Sequence, residues 1–183
     1  MKYSFNIKIS DDKQEHIDKL IIGAFSNESG SNIALKFLAY LLFIEKRPKL
    51  DEDVGWQVTP DLTARDESGE LCLWVSCGSL SVKKVDLITT KGRDRMPVFV
   101  FRKNQREMEE FHHSIKDKIK HMDYVNCISF DDGFIDGLGD ALDRTNNVEG
   151  YIGEDMITLT IDNSLGRHEA FSALHRVGFP SAE

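Results

Sequence analysis

The sequence predicts an α/β fold, a mixed central sheet flanked by helices, and three observations carry that prediction. Residues 3–9 read Tyr-Ser-Phe-Asn-Ile-Lys-Ile, the apolar–polar alternation of a half-buried strand. Residues 33–42 place Ile33, Leu35, Phe37, Leu38, Leu41 and Leu42 near three- and four-residue spacings, the period of a helix. From there to residue 101 the periods switch in the order helix, strand, strand, helix, strand. Hairpin neighbours pair antiparallel and a helical crossover returns its strand parallel, so the sheet is mixed.

Each element follows in order. Residues 18–25 read as a second strand, with a short helix over 12–22 as the competing reading. Ser29-Gly30-Ser31-Asn32 is a helix start, and the helix runs to about Lys46, short of Pro48. Apolar residues on most of its faces predict a central, well-buried helix. Residues 60–65 and 70–77 form strands around the turn Asp66-Glu67-Ser68-Gly69. Residues 81–90 form a helix with Val82, Val85 and Leu87 or Ile88 inward. Residues 97–101 are a buried strand, 104–122 a charged amphipathic helix and 125–130 another strand. Residues 131–142 are a weak helix, since they hold Gly133, Gly137 and Gly139. Residues 148–152 and 156–161 make a hairpin through Gly153-Glu154-Asp155, and 168–174 are ambiguous between strand and helix.

With 183 residues the chain is expected to form one domain, 1–183. No apolar run approaches the roughly 18–20 residues of a membrane span, and the N-terminus alternates where a signal peptide would be continuously apolar. A cytoplasmic protein without membrane contact is therefore expected. Cys72, Cys77 and Cys127 form neither a CxxC pair nor a zinc pattern. His112 and His113 are adjacent on a helix and face apart, and no P-loop, GxGxxG or GxSxG is present.

The formal charge is −8, which does not by itself suggest a nucleic-acid binder. Residues 83–106 depart from that balance. Lys83, Lys84, Lys91, Arg93, Arg95, Arg102, Lys103 and Arg106 face only Asp86 and Asp94 there. Such a local basic strip can meet a phosphate backbone, or can be no more than a solvated face.

Four segments carry a resemblance. Ile33-Ala34-Leu35-Lys36-Phe37-Leu38-Ala39-Tyr40-Leu41 is similar to a long apolar helix of the YaeQ family, small bacterial proteins on a PD-(D/E)XK nuclease-like (restriction endonuclease-like) scaffold. Pro60-Asp61-Leu62 and Gly69-Glu70-Leu71-Cys72-Leu73-Trp74-Val75-Ser76-Cys77-Gly78 resemble that family's PDLW and GEIELWIEVG segments. Val82-Lys83-Lys84-Val85 resembles its basic helix, and Ala141-Leu142-Asp143-Arg144-Thr145 its DRT stretch. The helix–strand–strand–helix–strand order is that superfamily's core order, αββαβ. The chain thus resembles a divergent member.

The resemblance implies a site and also its decay. A nuclease of this type holds Mg²⁺ on about two carboxylates, and the ion polarises phosphate and activates water. Two family acids fall at Cys72 and Ser76, four apart and so on one face of a strand, and both are missing. A third falls near Ser31. Asp61 matches the PD aspartate, Glu28 and Glu70 are further candidate ligands, and Lys83 or Lys84 could supply positive charge. The leading expectation is a degenerate, non-catalytic binding or regulatory module without cofactor, contacting nucleic acid through Lys83, Lys84, Lys91, Arg93, Arg95 and Arg102. One alternative is a residual Mg²⁺-dependent nuclease or phosphodiesterase using Asp61, Glu70, Glu28 and Lys83. The other is a protein-interaction module without nucleic acid.

Overall fold

In the structure, a computed structural model, residues 1–92 and 96–178 are described. Strands β1 (Lys2–Ser10) and β2 (Glu15–Gly23) form an antiparallel hairpin. Its turn is fixed by the Asp11 carboxylate, which accepts from the Lys13 and Gln14 amides. The competing helix over 12–22 does not form. Leu20 and Ile22 alternate inward beside Phe5, Ile7 and Ile9, which only a strand register allows.

Strand β8 (Thr145–Ile152) lies parallel to β1 and continues antiparallel into β9 (Met156–Asn163) and β10 (Gly166–Ala173). This five-stranded sheet has the order β10-β9-β8-β1-β2. The ambiguous segment 168–174 is therefore strand. A second, six-stranded sheet contains β3 (Lys49–Leu50), β4 (Leu62–Arg65), β5 (Leu71–Ser76), β6 (Val98–Phe101), β7 (Val125–Ser129) and β11 (His175–Val177). Its order is β11-β7-β6-β5-β4-β3, with β5, β6 and β7 parallel and the remaining pairs antiparallel. One mixed sheet was expected, and two mixed sheets are present.

The helices are α1 (Gly30–Leu42), α2 (Val82–Lys91), α3 (Gln105–Ile115) and α4 (Phe134–Ala141). Ser29, Ser81 and Asn104 cap the first three, each accepting a backbone N–H of the first turn. The predicted helix 104–122 ends early. Asp117 adopts a left-handed backbone, and the following Lys120 amide is held by the Asp86 carboxylate on α2.

Helix α1 lies between the sheets. Phe5 of β1 stacks on Phe37 at 4.2 Å, while Leu62, Leu73 and Val75 of the second sheet join the same apolar cluster. That sandwich explains why Ile33 through Leu41 are all buried. The second sheet's other face carries Trp74, Val98, Val100, Val125 and Cys127 under α2 and α3, which contribute Val85, Ile88, Met108 and Phe111. Alternation along Leu73–Ser76 of β5 and along β6 thus assigns each residue to the α1 side or the α2/α3 side.

Candidate functional site

One residue of α1 breaks its apolar pattern. Lys36 is 5 % exposed in the middle of the buried helix. A lysine there must find negative partners, because an unpaired ammonium in such a place costs several kcal/mol. Its Nζ lies 3.0 Å from Glu28 Oε1, 3.6 Å from Asp51 Oδ1 and 3.6 Å from Asp61 Oδ1.

Three separate elements bring those carboxylates in. Glu28 sits in the turn before α1, and its Oε2 accepts from the Phe25 amide at 3.2 Å. Asp51 follows β3 with a left-handed backbone, φ 49°, a conformation that Asp tolerates better than most residues. Its amide donates to the Asp61 carbonyl. Asp61 immediately precedes β4, and its Oδ2 accepts from the Cys77 amide at 2.6 Å, which pins it to the end of β5. The four side chains line an open recess of about 570 Å³ together with Phe25, Asn32, Thr59 and Pro60.

The charges respond to this packing. Burial lowers the Lys36 pKa, but the hydrogen bond to Glu28 and the nearby Asp61 and Asp51 outweigh it, and the net shift is upward. Burial raises the Asp51 pKa, with Lys36 opposing. Burial also holds the Cys77 thiol well above its ordinary value, so it is an inert neutral group beside Asp61.

Of the residues singled out from the sequence, Asp61 and Glu28 meet in this recess. Glu70 does not join them. It lies in the β4–β5 turn, where its amide donates to Asp66, and it lines another recess with Trp56, Arg65 and Lys91. Strand β5 starts only at Leu71, and the β4–β5 register shifts at Ala64/Arg65, so regular alternation does not extend to Glu70. Ser76 is buried on Trp74's face, toward α2, and accepts the Trp74 indole N–H at 3.2 Å. Cys72 is half-buried against the α1 cluster, so the register shift puts it on the face opposite Ser76 and not on one face with it, and Ser31 donates to Asp136 of α4 at 2.5 Å. None of these three supplies a carboxylate.

Lys83 and Lys84 stand exposed in the first turn of α2, on the sheet face opposite α1, and Lys91 is exposed at the helix end. Lys91 Nζ lies 5.8 Å from the ring centre of Trp56, which stacks on Trp74. The Arg102 guanidinium is half-buried, donates to the Gly78 and Phe101 carbonyls and lies over the Phe111 ring. Its work is within the fold. Lys103 pairs with Asp136 and Arg106 with Glu110. Arg93 and Arg95 lie outside the described residues.

The donor set does not fit a Mg²⁺ centre. Mg²⁺ requires oxygens at about 2.0–2.1 Å in near-octahedral order, whereas these carboxylates are spread around an ammonium. Among the described residues no three His, Cys, Asp or Glu side chains are placed to hold a metal ion. Nor, among those residues, is any helix long and apolar enough to cross a membrane.

Lys36 and Asp51 were not singled out from the sequence. For Lys36 a signal existed: a lone cation inside an apolar helix demands a counter-charge. For Asp51 the sequence offers only an acidic run, Asp51-Glu52-Asp53, after a short strand.

The fold is shared with known structures. The crystal structure of the YaeQ protein from Xanthomonas axonopodis pv. citri matches with a TM-score of 0.79 and 17% identity, over 98% of each chain. That of the YaeQ protein from Pseudomonas syringae matches with a TM-score of 0.70 and 15% identity, over 94% of each chain. No curated protein matches the chain. The family profile described as YaeQ protein matches residues 1–168, and the chain therefore belongs to the YaeQ family.

Proposed function

We propose that this protein is a non-catalytic binding or regulatory module, built on a nuclease-like scaffold with a degenerate site, that contacts nucleic acid through the exposed lysines of α2. The observation that carries this reading is the commitment of every carboxylate in the recess. Glu28, Asp51 and Asp61 all face the Lys36 ammonium, and Glu28 and Asp61 also accept backbone amides. Cys72 and Ser76 add no acid. Of the three carboxylates, only Asp51 keeps a substantially exposed side chain, and a single carboxylate is a weak holder of Mg²⁺. Lys83, Lys84 and Lys91 carry charge into solvent on another face, where a phosphate backbone could reach them.

The test uses the purified chain with DNA and RNA, single- and double-stranded, in Mg²⁺ or Mn²⁺. The reading expects no cleavage, together with a gel shift that weakens as salt rises. Replacing Lys83, Lys84 and Lys91 by Glu should reduce the salt slope by about one for each lysine that touches a phosphate. Metal-dependent cleavage that Asp61→Ala abolishes would overturn the reading in favour of a residual phosphodiesterase. The absence of any shift at low salt would leave the protein-interaction alternative in its place.

A further inference from the structure

We propose that the Lys36 ammonium is the resident cation of the Glu28–Asp51–Asp61 recess and that it closes those carboxylates to divalent metal ions. The proposal rests on the non-catalytic reading above and supplies its physical cause.

Three observations converge. The first is geometric. An ammonium has three donors and lies at 3.0, 3.6 and 3.6 Å from three carboxylate oxygens on three different segments. Those separations are longer than the roughly 2.1 Å of Mg²⁺ or the roughly 2.3–2.6 Å of Ca²⁺. The Glu28 oxygen is at hydrogen-bond distance and the two aspartate oxygens at ion-pair distance, so the ammonium occupies the point on which the three carboxylates converge.

The second is immobility. A surface lysine could swing aside for an incoming ion. The Lys36 side chain is only 6% exposed and rises from a helix buried on both sides, with Leu35 and Phe37 flanking it in the core. Its partner Glu28 is equally enclosed, with 7% of its side chain exposed. In this arrangement the ammonium is held on the inner side of the recess by Glu28, Asp51 and Asp61.

The third is charge. The ammonium offsets one of the three carboxylate charges and would repel a divalent ion from a few ångströms away. Only Asp51 keeps a substantially exposed side chain, 41%, and one carboxylate is a weak holder of an ion that dehydrates reluctantly.

The experiment follows Mn²⁺ binding to the full chain, by the paramagnetic broadening of backbone amide signals. In the wild type the Asp61 and Cys77 amides should keep their line widths at Mn²⁺ concentrations that saturate ordinary carboxylate sites. Lys36→Ala should gain one Mn²⁺ per chain at this recess. Its affinity should be about tenfold or more above any wild-type binding there, since a like charge is removed. Adding Asp61→Asn should abolish that gain. Wild-type broadening at Asp61 and Cys77 that disappears in Asp61→Asn would overturn the proposal. So would a folded Lys36→Ala protein that gains no ion. If Lys36→Ala does not fold, the wild-type measurement decides alone. The two readings fail separately. Wild-type Mn²⁺ binding without cleavage sinks only this proposal, and cleavage without an ion in this recess sinks only the previous one.

Discussion

At the residue scale, Lys36 is where sequence and structure inform each other most. The family resemblance directs attention to Cys72 and Ser76, where it implies acids. The recess is instead organised around a cation that is present. Because Lys36 and Glu28 form a buried pair, removing one partner strands the other. Lys36→Ala is expected to lower unfolding free energy by about 3–5 kcal/mol, read from urea midpoints. Glu28→Gln keeps volume and one of the two accepting oxygens, and Asp51 and Asp61 remain beside Lys36, so it should cost less, about 1–3 kcal/mol. The pH dependence follows from the raised Lys36 pKa. A cation with a raised folded-state pKa contributes fully below its unfolded value, here 10.5, and loses that contribution as pH rises through the folded value. The Tm gap between wild type and Lys36→Met should therefore stay level from neutral pH to about 10 and narrow above it. A gap that closes already between about pH 7 and 9 would show that Lys36 titrates below its ordinary value, against this account.

At the element scale, the period of the sequence located most helices and strands. It misjudged what the glycines of 131–142 are for. Gly139 reads as a weak point in a helix, yet it is where α4 crosses α1. A Cβ on Gly139 would come within 2.6 Å of the Gly30 carbonyl carbon and 2.7 Å of the Ser31 amide, and one on Gly30 within 2.8 Å of the Gly139 oxygen. A close backbone crossing leaves no trace in hydrophobic period, so only the three-dimensional contact shows it. Gly137 lies in the same helix, and a Cβ added there would meet nothing within 4 Å. The two sites should respond with opposite signs. Gly137→Ala should stabilise by up to about 1 kcal/mol through helix propensity, and Gly139→Ala should destabilise by about 1–3 kcal/mol through overpacking. Thermal melts of the two single variants check this, and equal shifts in the same direction would refute it. The early end of α3 belongs to the same scale. The charged pattern of 116–122 suits a helix, but Asp86 holds the Lys120 amide and the chain turns at Asp117.

At the scale of the whole molecule, the αββαβ order was legible because it consists of local periods, and only the two-residue β3 between α1 and β4 was too short to show one. The division into two sheets was not. It depends on β1 pairing in parallel with β8, a partner from the far end of the chain, and such pairing leaves no local signature. The two sheets share α1 and the apolar cluster around it. Phe5 and Val148 from one sheet share that cluster with Leu62, Leu73 and Val75 from the other. Single-domain behaviour can therefore be tested from a distance. Phe5 is fully buried and stacks on Phe37, so Phe5→Ala should cost about 3–5 kcal/mol. The chain's two tryptophans, Trp56 and Trp74, stack on each other in another cluster, under α2, and report only on the second sheet. If the sheets unfold as one unit, the urea midpoint of tryptophan fluorescence must fall by as much as the far-ultraviolet circular dichroism midpoint in Phe5→Ala. A circular dichroism transition that moves while the tryptophan transition stays in place would show that the first sheet melts by itself, and that the cluster around α1 does not couple the sheets.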